Sequence, residues 1–108
     1  VLNQSFTDFE LFIIDDASTD ESWQIIQNYK DPRIKAYQNH TNLNSKHWMN
    51  KIIFELASGE FFAVQHSDNL WELDKLQKQI NFLDSNPDFG AVFTNAFIID
   101  EKGQPFIA

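Results

Sequence analysis

Two clusters of side chains in this 108-residue chain have the types and spacing to do chemistry. Asp15 and Asp16 adjoin at the end of an apolar run, FELFII, and Ser18 and Asp20 follow in the same polar stretch, DDASTD. Further along, a second apolar run, FFAVQ, ends in His66, Ser67, Asp68 and Asn69. Carboxylates gathered at one point repel one another unless a cation sits between them. Oxygen ligands with one imidazole suit a hard or borderline divalent ion such as Mn²⁺ or Mg²⁺. A metal held this way could bridge the diphosphate of a nucleotide and neutralise a departing phosphate.

Each part also has a plainer reading. Asp20 and Asp68 each precede an expected helix, where an acid satisfies orphan backbone amides. His66 alone fits a hydrogen-bonded core histidine. Trp71, Trp48 and Met49 fit a core as well as they fit a binding platform. No Ser-His-Asp or Cys-His set can be assembled from this sequence.

The elements that must position the two clusters follow from the hydrophobic pattern. A continuous apolar run bounded by turn residues predicts a strand over Phe9–Asp15, buried on both faces as in a parallel sheet covered by helices. Val1–Gln4 reads as the last turn of a helix and Ser5–Asp8 as a loop. Ser18, Thr19 and Asp20 are competent caps for a helix over 20–29, with Trp23 and Ile26 on one face, and Asp31-Pro32 ends it. Residues 33–38 predict a short strand and NHTNLN (39–44) a loop. Ser45 can cap a helix to about Ala57, striped by Trp48, Met49, Ile52, Ile53 and Leu56, with Gly59 suited to its stop.

Glu60–Gln65 predicts a second buried strand, and 72–84 a helix carrying Leu73, Leu76, Ile80 and Leu83, closed by Pro87. Phe89–Ile99 predicts a third core strand, and Asp100–Gly103 a hairpin turn into residues 104–108. Strand and helix alternating in this way imply an α/β fold with a mostly parallel sheet. In such sheets ligands bind beyond the carboxyl ends of the strands, where both clusters fall.

Bulk composition bounds the function. Residues 1–108 suffice for one domain, and 43% hydrophobic content with eleven Phe and three Trp supplies a core. A formal charge of −8 argues against a nucleic-acid backbone or an anionic membrane as the main partner. There is no Cys, which excludes disulfides and thiolate metal sites and fits a reducing, cytoplasmic setting. No apolar run approaches the roughly 20 residues needed to cross a bilayer. The chain opens without a signal-peptide pattern, as if already inside an element, which suggests a fragment.

Taken together, LNQSF-TDFELFIIDDASTDES, PRI-AYQN, TNLN, an Asn inside the second helix, SGEFFAV-HSDNLW and D-KL-x-x-Q closely resemble the nucleotide-binding half of family 2 glycosyltransferases, enzymes of the GT-A fold. The resemblance covers essentially the whole chain. It implies a Rossmann-like domain over 1–108 that binds a nucleotide-diphosphate sugar, usually a UDP-sugar. It further implies inverting transfer of that sugar to a saccharide or lipid-linked acceptor, at the inner face of a membrane or in the cytoplasm, in the biosynthesis of a polysaccharide.

Residue by residue, the family's base-reading acid falls on Asp16, and the resemblance places Asp15 and Ser18 with it among the nucleotide-binding residues. Ser18 and Asp20 match the rest of that loop. The family's metal-binding Asp-x-Asp falls on His66-Ser67-Asp68, which makes Asp68 the expected ligand to Mn²⁺ or Mg²⁺ and places Ser67 against the nucleotide. His66 stands where the first acid is usual, and an imidazole can still ligate Mn²⁺ or donate to a hydroxyl. Met49 stands where a basic residue is common before Asn50, and Lys46, one turn earlier, is an alternative contact to the nucleotide. The family's first strand is expected before Val1, and its acceptor half and general base beyond Ala108. A sheet without its central strand leaves edges open to self-association. Two other readings stand beside this one: a receiver-type phosphoacceptor module, and a non-catalytic nucleotide-sugar-binding member of the same fold.

Overall fold

A computed structural model describes residues 1–43 and 45–105, the side chain of Ser45 excepted. The chain forms two compact units, Phe6–Leu70 and, separately, Val1–Ser5 with the chain from Trp71 onward.

The first unit is a βαβ arrangement followed by a helical segment. Strand β1 (Leu11–Asp16) leads through helix α1 (Ser22–Asn28) to strand β2 (Ile34–Asn39). β1 and β2 pair in parallel, in a register that sets Leu11 beside Ile34 and, at the far end, Asp15 beside Gln38 and Asp16 beside Asn39. The start of β2 is fixed by Arg33, whose guanidinium makes a two-pronged contact with Asp31 (Nε to Oδ1 3.0 Å, Nη2 to Oδ2 2.7 Å). The same guanidinium lies 4.4 Å from the centre of the Phe9 ring, and the Arg33 carbonyl accepts the Leu11 amide. Asp31, held this way, has its pKa lowered to about 2.

Immediately before β1, Glu10 takes the Ser58 hydroxyl and Lys35 ammonium on Oε1 and the Ser58 amide on Oε2. These bonds lower its pKa to about 2, the Ser58 hydroxyl contributing most. The cap position of α1 is Glu21, which makes no side-chain cap bond, rather than Asp20. Asp20, one residue earlier, accepts the Ser22 amide on Oδ1 at 2.9 Å, and the Ser22 side chain first and this amide second lower its pKa.

Helix α2 (Ser45–Lys51) continues into a π-helical turn, Ile52–Leu56, closed by the Ala57 amide on the Ile52 carbonyl. Ile52 is the one buried apolar side chain among the described residues. The helical segment ends at Ala57, in extended backbone, so Gly59 is not its stop. The expected capping role of Ser45, and Asn44 of the NHTNLN loop, lie outside the described residues.

Several expectations are corrected. β1 is half-buried over Leu11–Ile14 rather than buried on both faces, because it pairs with one neighbour only. Residues 60–65 and 89–98 make no strand, since a ladder needs a partner and no described segment offers one. Their apolar side chains are accordingly exposed, Phe93 by 92%.

In the second unit, helix α3 (Lys75–Ser85) begins three residues later than its periodicity predicts, leaving Leu73 outside it and exposed. Its start is capped from a distance. Gln4, 5% exposed, donates from Nε2 to the Glu72 carbonyl at 2.7 Å and accepts the Leu76 amide on Oε1 at 3.0 Å. The Ser5 amide donates to the Leu73 carbonyl. Val1–Gln4 is therefore a turn, closed by the Gln4 amide on Val1, rather than a helix end.

The hairpin turn at Asp100–Gly103 is present: Asp100 Oδ1 accepts the Lys102 and Gln104 amides, and Gly103 takes the left-handed φ of 78° that its position demands. Its arms meet in one antiparallel bridge, Ile99 to Pro105, and the rest of the second arm, 106–108, lies outside the described residues.

Candidate nucleotide site at the β1 and β2 ends

The parallel register brings the ends of β1 and β2 side by side, and the polar residues there bond in pairs according to the sheet face they occupy. On one face Asp15, 4% exposed, accepts the Gln38 amide at 3.3 Å. On the other, Asp16 Oδ1 accepts the Asn39 side-chain amide at 2.8 Å and the Leu43 backbone amide at 2.8 Å. Among the described residues no hydrogen bond reaches Asp16 Oδ2. The chain leaves the strand at once, because Ala17 has a φ of 60°, a left-handed conformation that a residue with a Cβ adopts at a cost. That turn leaves Ser18 exposed.

Asn39 is itself held. Its Oδ1 accepts the Trp48 indole N–H at 2.8 Å. Trp48 packs on Tyr37, ring centres 5.0 Å apart and inclined by 38°, with Lys51 Nζ 5.6 Å from its ring centre. Tyr37 and Asn39 are two apart on β2 and so share a face, which is why one tryptophan reaches both. Lys46, in the same helix, is exposed.

The second cluster sits on a turn. The Asn69 amide donates to the His66 carbonyl, and Gln65 Nε2 braces both the His66 and Asn69 carbonyls. His66, Ser67 and Asp68 are exposed. Asp68 caps nothing: the residue before α3 is Asp74, and among the described residues the Asp68 carboxylate has no hydrogen-bond or ion-pair partner. No three His, Cys, Asp or Glu among the described residues gather into a metal-holding group. A single carboxylate such as that of Asp68 is nevertheless a donor that fits an ion whose shell is completed by substrate phosphates and water, the usual habit of Mg²⁺.

The structure thus joins Asp16 to Asn39, Leu43 and Trp48, and joins Asp15 to Gln38, while His66, Ser67 and Asp68 form a separate turn. Asn39 and Trp48 were not among the site residues expected from sequence. The signal for Asn39 lay in its position, since a strand ending in a polar residue beside another ending in acids pairs with them once the register is known.

A parallel strand pair joined by a helix, with acids at its carboxyl end, is a βαβ unit of an α/β fold, and in such folds ligands bind beyond the carboxyl ends of the strands. The sequence matches the family described as glycosyl transferase family 2 over residues 1–106. Among relatives, an uncharacterised glycosyltransferase of Haemophilus influenzae is 42% identical over 87 residues, 79% of this chain and 34% of that protein. Two Escherichia coli proteins are named as UDP-Glc:α-D-GlcNAc-diphosphoundecaprenol β-1,3-glucosyltransferases. WfaP is 32% identical over 90% of this chain and 38% of its own length, and WfgD 33% over 80% and 34%. No solved structure matches.

The chain belongs to glycosyltransferase family 2, and with that family goes the GT-A, Rossmann-like fold. It spans little more than a third of the length of these relatives. Family membership displaces the receiver-module reading. No helix among the described residues is long and apolar enough to cross a membrane.

Proposed function

We propose that this chain forms the nucleotide-sugar-binding half of an inverting glycosyltransferase that moves a sugar from a UDP-sugar to a saccharide or lipid-linked acceptor. The observation that carries the reading is the fixed carboxylate of Asp16, at the carboxyl end of β1, with two donors on Oδ1 and, among the described residues, no hydrogen bond on Oδ2. An open carboxylate oxygen accepts the N3–H of uracil and repels the lone pair that cytosine carries at the same position. The two E. coli relatives named for UDP-Glc support a uridine nucleotide as donor.

In this reading Asp68 holds Mn²⁺ or Mg²⁺, with His66 as a second donor and Ser67 near the diphosphate. When bound, the metal supplies charge neutralisation for the departing nucleotide diphosphate. Ser18 and Lys46, both exposed, are free to approach the ribose or the phosphates. Asp15, buried against Gln38, contributes by holding the two strand ends together. The acceptor and the general base belong to the remainder of the protein, which acts in the cytoplasm or at the inner face of the membrane.

Calorimetry of UDP binding to the full-length protein in Mn²⁺ tests this. Binding that depends on Mn²⁺ and is lost in Asp68→Ala is expected. Binding that is indifferent to both the metal and Asp68 would overturn the metal assignment.

A further inference from the structure

We propose that Trp48 and Asn39 are positioning residues that lock the Asp16 carboxylate in one orientation and thereby set the base preference of the nucleotide site. This deepens the reading of Asp16 as the base contact and rests on it.

The argument begins at the indole. A Trp Nε1–H can only donate, so the atom of Asn39 that meets it at 2.8 Å must be the carbonyl oxygen. The amide of Asn39 then has only its NH₂ group to turn toward Asp16, which it reaches at 2.8 Å. The Leu43 amide donates to that same Asp16 oxygen, at 2.8 Å. Two donors on Oδ1 hold the carboxylate against exchanging its oxygens, and Oδ2, which no hydrogen bond reaches among the described residues, is left as the acceptor for a ligand.

Trp48 is itself clamped by the Tyr37 ring and by Lys51. Asn39 is only 8% exposed, so water does not compete for its amide. The relay therefore runs from α2 through β2 to the end of β1, each link a donor to a named acceptor.

Without the indole N–H, Asn39 can flip its amide and present oxygen to Asp16. Carboxylate and carbonyl then repel, Asp16 turns, and the preference for an N–H on the base falls. Trp48→Phe removes the donor and keeps a ring against Tyr37. Asp16→Asn keeps an Oδ1 for Asn39 and Leu43 and replaces the free acceptor by a donor.

The experiment is calorimetry of UDP and CDP on the full-length protein and these variants, with Asn39→Ala alongside, each checked for folding by circular dichroism. Trp48→Phe is expected to weaken UDP about fivefold to tenfold, the worth of roughly one hydrogen bond. It should also narrow the ratio of UDP to CDP affinity, which a merely structural role would leave unmoved. Asn39→Ala should do the same more strongly, and Asp16→Asn should reverse the ratio.

A wild-type UDP affinity and ratio in folded Trp48→Phe, with Asp16→Asn impaired, would overturn the relay alone. Unchanged binding in Asp16→Asn, or no UDP binding by the wild-type protein, would overturn the base contact and the relay with it. Should Asn39→Ala fail to fold, Trp48→Phe decides.

Discussion

Removing the Gln4 side chain should loosen the start of α3, and the size of the effect can be worked from the bonds it makes. Gln4 is 5% exposed and serves two groups at once, the Glu72 carbonyl at 2.7 Å and the Leu76 amide at 3.0 Å. The Leu76 amide is one of the four donors a helix start cannot satisfy internally. α3 has no side-chain bond from its own capping residue, Asp74, so Gln4 supplies the cap from the opposite end of the sequence. Each bond is worth about 1 kcal/mol net, and losing a helix cap costs about the same, so Gln4→Ala should cost α3's first turn roughly 2 kcal/mol.

At 1.4 kcal/mol per decade, that is a drop of about thirtyfold in amide protection. Hydrogen exchange read by mass spectrometry on peptides covering Ser5 and Lys75–Lys78 is the assay, because it reports this segment whatever the stability of the rest. Gln4→Glu is the informative companion. It keeps the acceptor for Leu76 but sets a carboxylate oxygen against the Glu72 carbonyl, and should lose at least as much protection. Unchanged exchange in both variants would refute the claim that Gln4 caps α3.

Acid should weaken the sheet through two carboxylates. The folded pKa values of Glu10 and Asp31, about 2, lie below their ordinary values of 4.5 and 3.8. Their contribution is therefore complete above those ordinary values and is lost as pH falls toward 2, so thermal midpoints should drop across that window. Glu10→Gln should flatten its share of the drop, and an unchanged acid profile in that variant would count against the Ser58 and Lys35 contacts. Asp31→Ala frees the Arg33 guanidinium from a two-pronged pair and should expose the start of β2, seen as faster exchange of the Leu11 and Ile34 amides. Equal rates would deny Asp31 that role. Ala17→Gly should raise stability slightly by relieving the left-handed φ, unless added freedom in the unfolded chain cancels it, and a loss above about 1 kcal/mol would contradict the strain.

Much of this was legible in the residue pattern. FELFIIDD shows a strand that ends in acids, and SWQIIQN an amphipathic helix, and both are found within two residues of where periodicity places them. The resemblance carried by DDASTD, SGEFF and SDNLW names the family that the comparison supports over residues 1–106. What periodicity could not show is which strand-like runs find a neighbour. FFAVQ and the run from Phe89 are as apolar as β1, yet pairing is a property of two segments, and only β1 and β2 supply it among the described residues.

The relay behind Asp16 was hidden for the same reason. Trp48 reads as core from its spacing alone, and only the register of Tyr37 and Asn39 on β2 turns its N–H toward the strand ends. Gln4 lies 72 residues from the amide it accepts, a separation no local pattern spans.

The central claim is that Asp16 meets the base of a uridine nucleotide and Asp68 meets the metal on its diphosphate. Crystals of the full-length protein grown with UDP and Mn²⁺, with anomalous scattering collected at the manganese edge, test it most directly. The account predicts a manganese peak at coordination distance, roughly 2 Å, from the Asp68 carboxylate, and uracil N3 within hydrogen-bond reach of Asp16 Oδ2. Manganese bound away from Asp68, or uracil seated on other residues with Asp16 turned from it, would contradict it.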